Sequence, residues 1–240
     1  MTFSWAVEDK HIDVVLVSVS GPIYVESTDV CGSFSLLLDD GMYMVTIYAS
    51  DKAGNAVCVV LSFEVDVSAP TAYFVEPSNN LTWVSAGVSV NFSFYVYDPN
   101  LGAVFLRVNG SLVYYYEGSN DSVRSNTICR FGSDGLYIVS LYAEDLAGNS
   151  VEVIYYVYVD SVAPEIIIHS PTHNTTYGPN ITLNITIWDP FLDECYVYLD
   201  GEPLDNLTMN ITLGTGIHTL YVYAADRSGN TNEVCVNFFC

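Results

Sequence analysis

The sequence predicts an all-β protein, a row of two-sheet sandwiches joined end to end, on three observations. Apolar residues recur with a period of two. Short runs rich in Val, Ile, Tyr and Phe are punctuated by Gly, Asn, Asp and Pro, leaving no room for a helix of ordinary length. One phrase occurs three times, as YASDKAGN at Tyr48–Asn55, YAEDLAGN at Tyr142–Asn149 and YAADRSGN at Tyr223–Asn230.

The repetition extends beyond the phrase. Ten residues before Asp51, Asp145 and Asp226 stand Gly41, Gly135 and Gly216. An acidic residue precedes a glycine by twelve positions at Asp9 and Gly21, Asp98 and Gly110, and Asp189 and Gly201, and D-x-x-A-P occurs at Asp66–Pro70 and Asp160–Pro164. From Asp51 to Asp145 is 94 residues and from there to Asp226 is 81, too long for a solenoid repeat or propeller blade and right for small domains. The expected units are 1–66, 67–160 and 161–240.

D-x-G-x-Y at Asp39–Tyr43, kept in part as SDGLY at Ser133–Tyr137, resembles the tyrosine corner that opens strand F of immunoglobulin-like domains; His218 stands there in the third unit. With the D-x-x-A-P linkers and the Y-A-x-D-x-[AS]-G-N turns, the chain is similar over its whole length to the prokaryotic immunoglobulin-like or fibronectin-III-like repeats of surface proteins, S-layer proteins and adhesins. The resemblance implies three tandem Ig-like β-sandwiches with a non-catalytic, extracellular role.

On that frame each element follows in order. The first unit opens directly on strand B, TFSWAVED, because eight residues precede Asp9, whereas 28 separate Pro70 from Asp98 and 25 separate Pro164 from Asp189. Strand A is therefore expected to be missing from the first unit, leaving unpaired edge amides and an apolar groove, a template for β-augmentation. Either the segment belongs to a longer array, or a neighbouring copy supplies the strand and head-to-tail contacts build an open polymer. In the second unit VSVNFSFYV sets Val88, Val90, Phe92, Phe94 and Val96 on one face and Ser89, Asn91 and Ser93 on the other. In the third, ITLNITIW puts Ile181, Leu183, Ile185 and Ile187 inward, and EVCVNFFC closes the chain as an apolar strand.

The thrice-written phrase has two readings. As a turn between strands F and G, its aspartate accepts hydrogen bonds from turn amides and its glycine takes a positive φ. As part of a ligand set, it combines with two other landmarks, since immunoglobulin order places the B–C and F–G turns beside the preceding linker. That gathers Asp66, Asp98 and Asp145 at one junction and Asp160, Asp189 and Asp226 at the next, where clustered carboxylates call for protons or a cation such as Ca²⁺. No EF-hand or RTX spacing is present. Tyr48, Tyr142 and Tyr223 share the outward parity of strand F, as a contact stripe or as ordinary cross-strand packing.

Composition narrows the function. Six Lys plus Arg against 28 Asp plus Glu give a formal charge of −22, which repels nucleic acid and anionic lipid surfaces. No apolar run is long enough to insert in a membrane as a helix and no secretory leader is read at the N-terminus, so an export signal is expected to have been removed or to lie outside this segment. Nine Asn-x-Ser/Thr sequons, at Asn80, Asn91, Asn109, Asn120, Asn174, Asn180, Asn184, Asn206 and Asn210, exceed chance and imply a partner coat of N-linked glycans on a cell-surface protein; with the acidity they favour an archaeal source. The six cysteines form no CxxC pair. Cys31 with Cys58, and Cys195 with Cys235 or Cys240, are disulfide candidates, while Cys129 is either a buried thiol or part of an interdomain or intersubunit bridge. His11, His169, His173 and His218 are scattered and no catalytic fingerprint occurs. The expectation is a structural filament or layer protein whose partner is itself, with an adhesin or glycan-binding stalk as the alternative; Trp5, Trp83 and Trp188 occupy different repeat positions and make no platform.

Overall fold

The computed structural model describes residues 1–240, in which every regular element is a strand. The all-β class is as expected, and the fold is a set of immunoglobulin-like sandwiches. The first holds β1 (Thr2–Ala6), β2 (Ile12–Ser20), β3 (Tyr24–Ser27), β4 (Cys31–Ser35), β5 (Gly41–Asp51) and β6 (Ala56–Val65). The second holds β7 (Thr71–Glu76), β8 (Leu81–Val84), β9 (Ser89–Tyr97), β10 (Leu101–Val108), β11 (Ser111–Glu117), β12 (Ser122–Arg130), β13 (Gly135–Asp145) and β14 (Ser150–Val159). The third holds β15 (Glu165–Ser170), β16 (Asn180–Trp188), β17 (Leu192–Leu199), β18 (Glu202–Pro203), β19 (Thr208–Thr212), β20 (Ile217–Asp226) and β21 (Thr231–Phe239).

Sheet order shows what distinguishes the first sandwich. The second pairs β12-β9-β7 against β11-β10-β13-β14-β8, so the segment through β7 and β8 lies first on one sheet and then crosses to run parallel with β14 in the other. The third does the same with β15 on β16 and a parallel bridge from Thr176 to Phe239. In the first, β1 pairs with β4 alone and β6 with β5 alone. Nothing within the chain crosses that seam, so the outer edges of β1 and β6 are both unpaired.

The alternation read from sequence forms the cores. Phe92, Phe94 and Val96 of β9 face Val104, Leu106, Val139, Leu141, Tyr155 and Val157 in one cluster of 16 buried residues, and Ile181, Leu183 and Ile185 anchor a cluster of nine in the third sandwich. The first sandwich has only two clusters of four, around Trp5 and around Tyr43. Leu61 is 58% exposed, whereas Tyr155 and Val236 at the same repeat position are 1% and 8% exposed. The difference is the crossing segment, which covers Tyr155 with Phe74 and has no counterpart over Leu61.

The corner residue of strand F is present in all three sandwiches. Tyr43 Oη donates to the Asp39 carbonyl at 3.1 Å and Tyr137 Oη to the Ser133 carbonyl at 3.1 Å. His218 reproduces the bond with an imidazole, its Nε2 lying 2.9 Å from the Gly214 carbonyl and its Nδ1 2.7 Å from Asp200 Oδ2. Both neighbours are acceptors, so the doubly protonated ring satisfies the site; the Asp200 carboxylate first, then the Gly214 carbonyl, hold the imidazole above its ordinary value. Burial pushes the Asp200 carboxyl up, but its bonds from His218 and the Thr219 amide outweigh this and leave it low.

The signs fix a pH window. A raised histidine contributes stability that is complete below about pH 6.5 and is lost as pH climbs through its folded value. A lowered aspartate contributes stability that is lost as pH falls through its folded value. Thermal melts should therefore show the third sandwich weakening as pH is raised from 6.5, and His218→Tyr, which restores a non-titrating corner, should flatten that slope. Tyr43→Phe should cost about 0.5–1.5 kcal/mol at any pH, measured by denaturant titration.

Candidate metal centres at the sandwich junctions

The phrase at Tyr48, Tyr142 and Tyr223 builds a turn in every copy. Asp145 Oδ1 accepts the Ala147 and Asn149 amides at 2.8 Å each, and its Oδ2 accepts Asn149 Nδ2 at 2.8 Å. Asp51 with Ala53 and Asn55, and Asp226 with Ser228 and Asn230, repeat this set. Gly54, Gly148 and Gly229 close the turns at φ of 89°, 93° and 82°, which only glycine adopts freely. A second bond ties this turn to the one between strands B and C: Leu146 N to the Asn100 carbonyl at 2.8 Å, Arg227 N to the Phe191 carbonyl at 3.0 Å and Lys52 N to the His11 carbonyl at 3.0 Å.

That bond draws the two turns together beneath the linker. The carboxylates of Asp66, Asp98 and Asp145 converge with ligand atoms within 4.8 Å of one another, and so do those of Asp160, Asp189 and Asp226. The turn and the cluster are therefore made by the same residues. Asp98, Asp145, Asp160 and Asp226 are buried and Asp66 and Asp189 half-buried. Burial first, then neighbouring carboxylates, hold Asp98 and Asp160 above the ordinary carboxylate range. With these charges present, both groups oppose folding at neutral pH, the reverse of a salt-bridged aspartate.

Each linker is held from both sides. Asp40 accepts Val67 N at 2.6 Å and Ser68 Oγ at 2.5 Å, and Asp134 accepts Ser161 Oγ at 2.8 Å, all from the preceding sandwich. From the following sandwich, Asn149 Nδ2 donates to the Asp66 carbonyl at 3.1 Å and Asn230 Nδ2 to the Asp160 carbonyl at 2.8 Å. The two junctions then diverge. At the first, Asn100 Nδ2 donates to Asp66 Oδ2 at 2.9 Å. At the second, Phe191 holds the position of Asn100 and Asp160 Oδ2 is buried without a partner. Phe191 instead packs on Trp83 at 4.7 Å, Trp83 stacks on Tyr158 at 4.4 Å, and the Arg227 guanidinium lies 5.6 Å over the indole. Ser85 Oγ adds a 2.7 Å bond to Asn230 Oδ1 across the same junction.

The other expected residues fall as follows. All nine sequon asparagines are exposed, Asn91, Asn184 and Asn210 on the outward faces of β9, β16 and β19. No bond joins any two of the six cysteines. Cys31 and Cys58 are exposed on different sheets, and Cys195 and Cys235 sit on β17 and β21 with β20 between them, opposite Ala224 and Tyr221, so that two strand spacings of roughly 9–10 Å and a three-residue offset separate them. Cys240, half-buried, packs on the third core. Cys129 is a buried thiol, pushed up by desolvation. His169 and His173 bond separately, to Thr186 Oγ1 and the Asn237 amide. Tyr142 packs on Phe105 and Tyr223 on Tyr196, which is cross-strand packing. Sequence reasoning missed Asn149 and Asn230 as linker clamps, although their recurrence in the phrase was the signal; Trp83 and Asp200 carry no signal in a single sequence.

No family model and no curated protein matches the chain. Among solved structures it is similar to the fibronectin(III)-like modules of CbhA from Clostridium thermocellum, with 18% identity over 70% of this chain and 93% of that one at a TM-score of 0.43. It is also similar to the three N-terminal domains of the highly immunogenic outer capsid protein Hoc of bacteriophage RB49, with 11% identity over 98% and 90% of the two chains at 0.46. Immunoglobulin domains 1–4 of Sidekick-1 match with 11% identity over 99% and 71% at 0.43. No helix is long and apolar enough to cross a membrane.

Asn230→Ala removes the bonds to Asp226, to the Asp160 carbonyl and from Ser85 together. It should cost about 1–3 kcal/mol and speed limited proteolysis between Asp160 and Pro164, with the cores on either side intact.

Proposed function

We propose that this chain is a non-catalytic extracellular structural protein whose Ig-like sandwiches build or decorate a glycosylated surface filament or layer, the first sandwich being completed by a strand from a neighbouring copy. The vacant seam between β1 and β6 carries the proposal. It opens into an apolar cavity of about 220 Å³ lined by Phe3, Trp5, Phe34, Ile47, Val59 and Leu61. The chain displays what fits there: β7 and β15 run antiparallel to their neighbours and turn Ala72, Phe74, Ile166 and Ile168 onto the core.

The distribution of sequons supports the same reading. All nine lie at Asn80 or beyond, so glycans would crowd the second and third sandwiches and leave the first bare. The bare sandwich is also the one whose β6 exposes Val57, Val59, Val60 and Leu61, each more than half accessible. Chains of formal charge −22 repel one another, so association must come from apolar burial and ladder hydrogen bonds.

Sedimentation velocity at rising concentration tests this. Self-association is expected, with competition by a synthetic peptide of sequence TAYFVE and abolition by Leu61→Asp, which alters an exposed side chain and leaves the other cores intact. A chain that stays monomeric at about millimolar concentration and ignores the peptide would be a simple stalk, as in an adhesin, and the donor-strand reading would be wrong.

A further inference from the structure

We infer that the second junction is a divalent-cation site of the Ca²⁺ type, and that the first is a weakened copy in which the Asn100 amide substitutes for part of the ion's role. The strongest observation is Asp160 Oδ2, an oxygen of a residue 6% exposed that accepts no hydrogen bond while its partner Oδ1 takes the Val162 amide at 3.0 Å. As an anion, a buried carboxylate oxygen left bare beside two further carboxylates is strongly disfavoured unless a cation meets it.

No protein cation does. The single ion pair in the molecule is His218 with Asp200, and Arg227, in the neighbouring turn, lies over Trp83. The groups facing Asp160 are the carboxylates of Asp226, Asp189 and Asp134. The three ligand oxygens lie within 4.8 Å of one another, a separation that Ca²⁺, with oxygens about 2.3–2.6 Å from the ion in a flexible shell, can bridge. Asp160, Asp189 and Asp226 supply three anionic contacts; water completes the shell.

The first junction has the same three carboxylates but a different neighbour. Asn100 Nδ2 already bonds Asp66 Oδ2, and Asp66 Oδ1 accepts Ser68 N at 3.1 Å, so both oxygens of the linker aspartate are engaged. A cation there must compete with an amide. The exchange of Asn100 for Phe191 at one repeat position therefore sets the order of affinity. It also couples the ion to mechanics, since the ligands come from the linker and from two turns of the sandwich that follows.

Calorimetric titration of CaCl₂ into the full chain, stripped with a chelator and desalted, reads this on the monomer, independently of any strand exchange. A tighter and a weaker site are expected. Asp160→Asn should weaken the tighter one by about tenfold or more, while the ion-free variant melts no lower than wild type because a charge has left a crowded cluster. Asn100→Ala should strengthen the weaker site. No binding up to millimolar Ca²⁺, tight binding that survives Asp160→Asn, or two equal sites indifferent to Asn100→Ala would each overturn the inference.

Discussion

A two-sheet sandwich has two seams, and the structure turns on what closes the one beside strand G. In the second and third sandwiches a single segment leaves one sheet and joins the other, satisfying edge amides on both and roofing the core. Where it is lacking, the same repeat pattern yields two clusters of four instead of one of 16, although the inward residues of β2 and β5 are as apolar as their counterparts. The weakness of the first sandwich is thus one of closure, not of composition.

The junctions follow a different economy, in which one aspartate serves two purposes. In the F–G turn its two oxygens accept amides from its own loop, a bond set that orders the turn whatever surrounds it. Carboxylate oxygens retain further lone pairs, so the ordered turn can present the same group to a neighbour. The asparagine that closes the turn reaches onward to the linker carbonyl, making the turn the surface on which the preceding sandwich rests. Asp9 and Asp51 of the first sandwich line a common pocket at its far end, beside Asn55, with the same chemistry.

Much of this was legible because the chain repeats itself. Period-two alternation marks the inward faces of β9 and β16, and three landmarks spaced alike place six aspartates in two groups. The cysteines lack that support: strand order alone does not say which sheet face a thiol occupies, and a whole strand separates Cys195 from Cys235. The role of His218 as a corner residue was half visible. Its position was apparent, but Asp200, 18 residues away, gave no sign in one sequence that it would accept the second ring proton.

The seam and the junctions are not independent. Trp83 and Ser85 lie on and just after β8, the half of the crossing segment that runs beside β14, and they hold the second junction with an aromatic stack and a hydrogen bond. In the first sandwich β6 pairs with β5 alone, and the first junction shows neither contact. A strand entering that seam along β6 ends where β8 ends in the second sandwich, next to the linker, and a bulky residue there would meet Asn100 and the F–G turn as Trp83 meets Phe191 and Arg227. Were a strand to enter there, completing the core and stiffening the first junction would be one event.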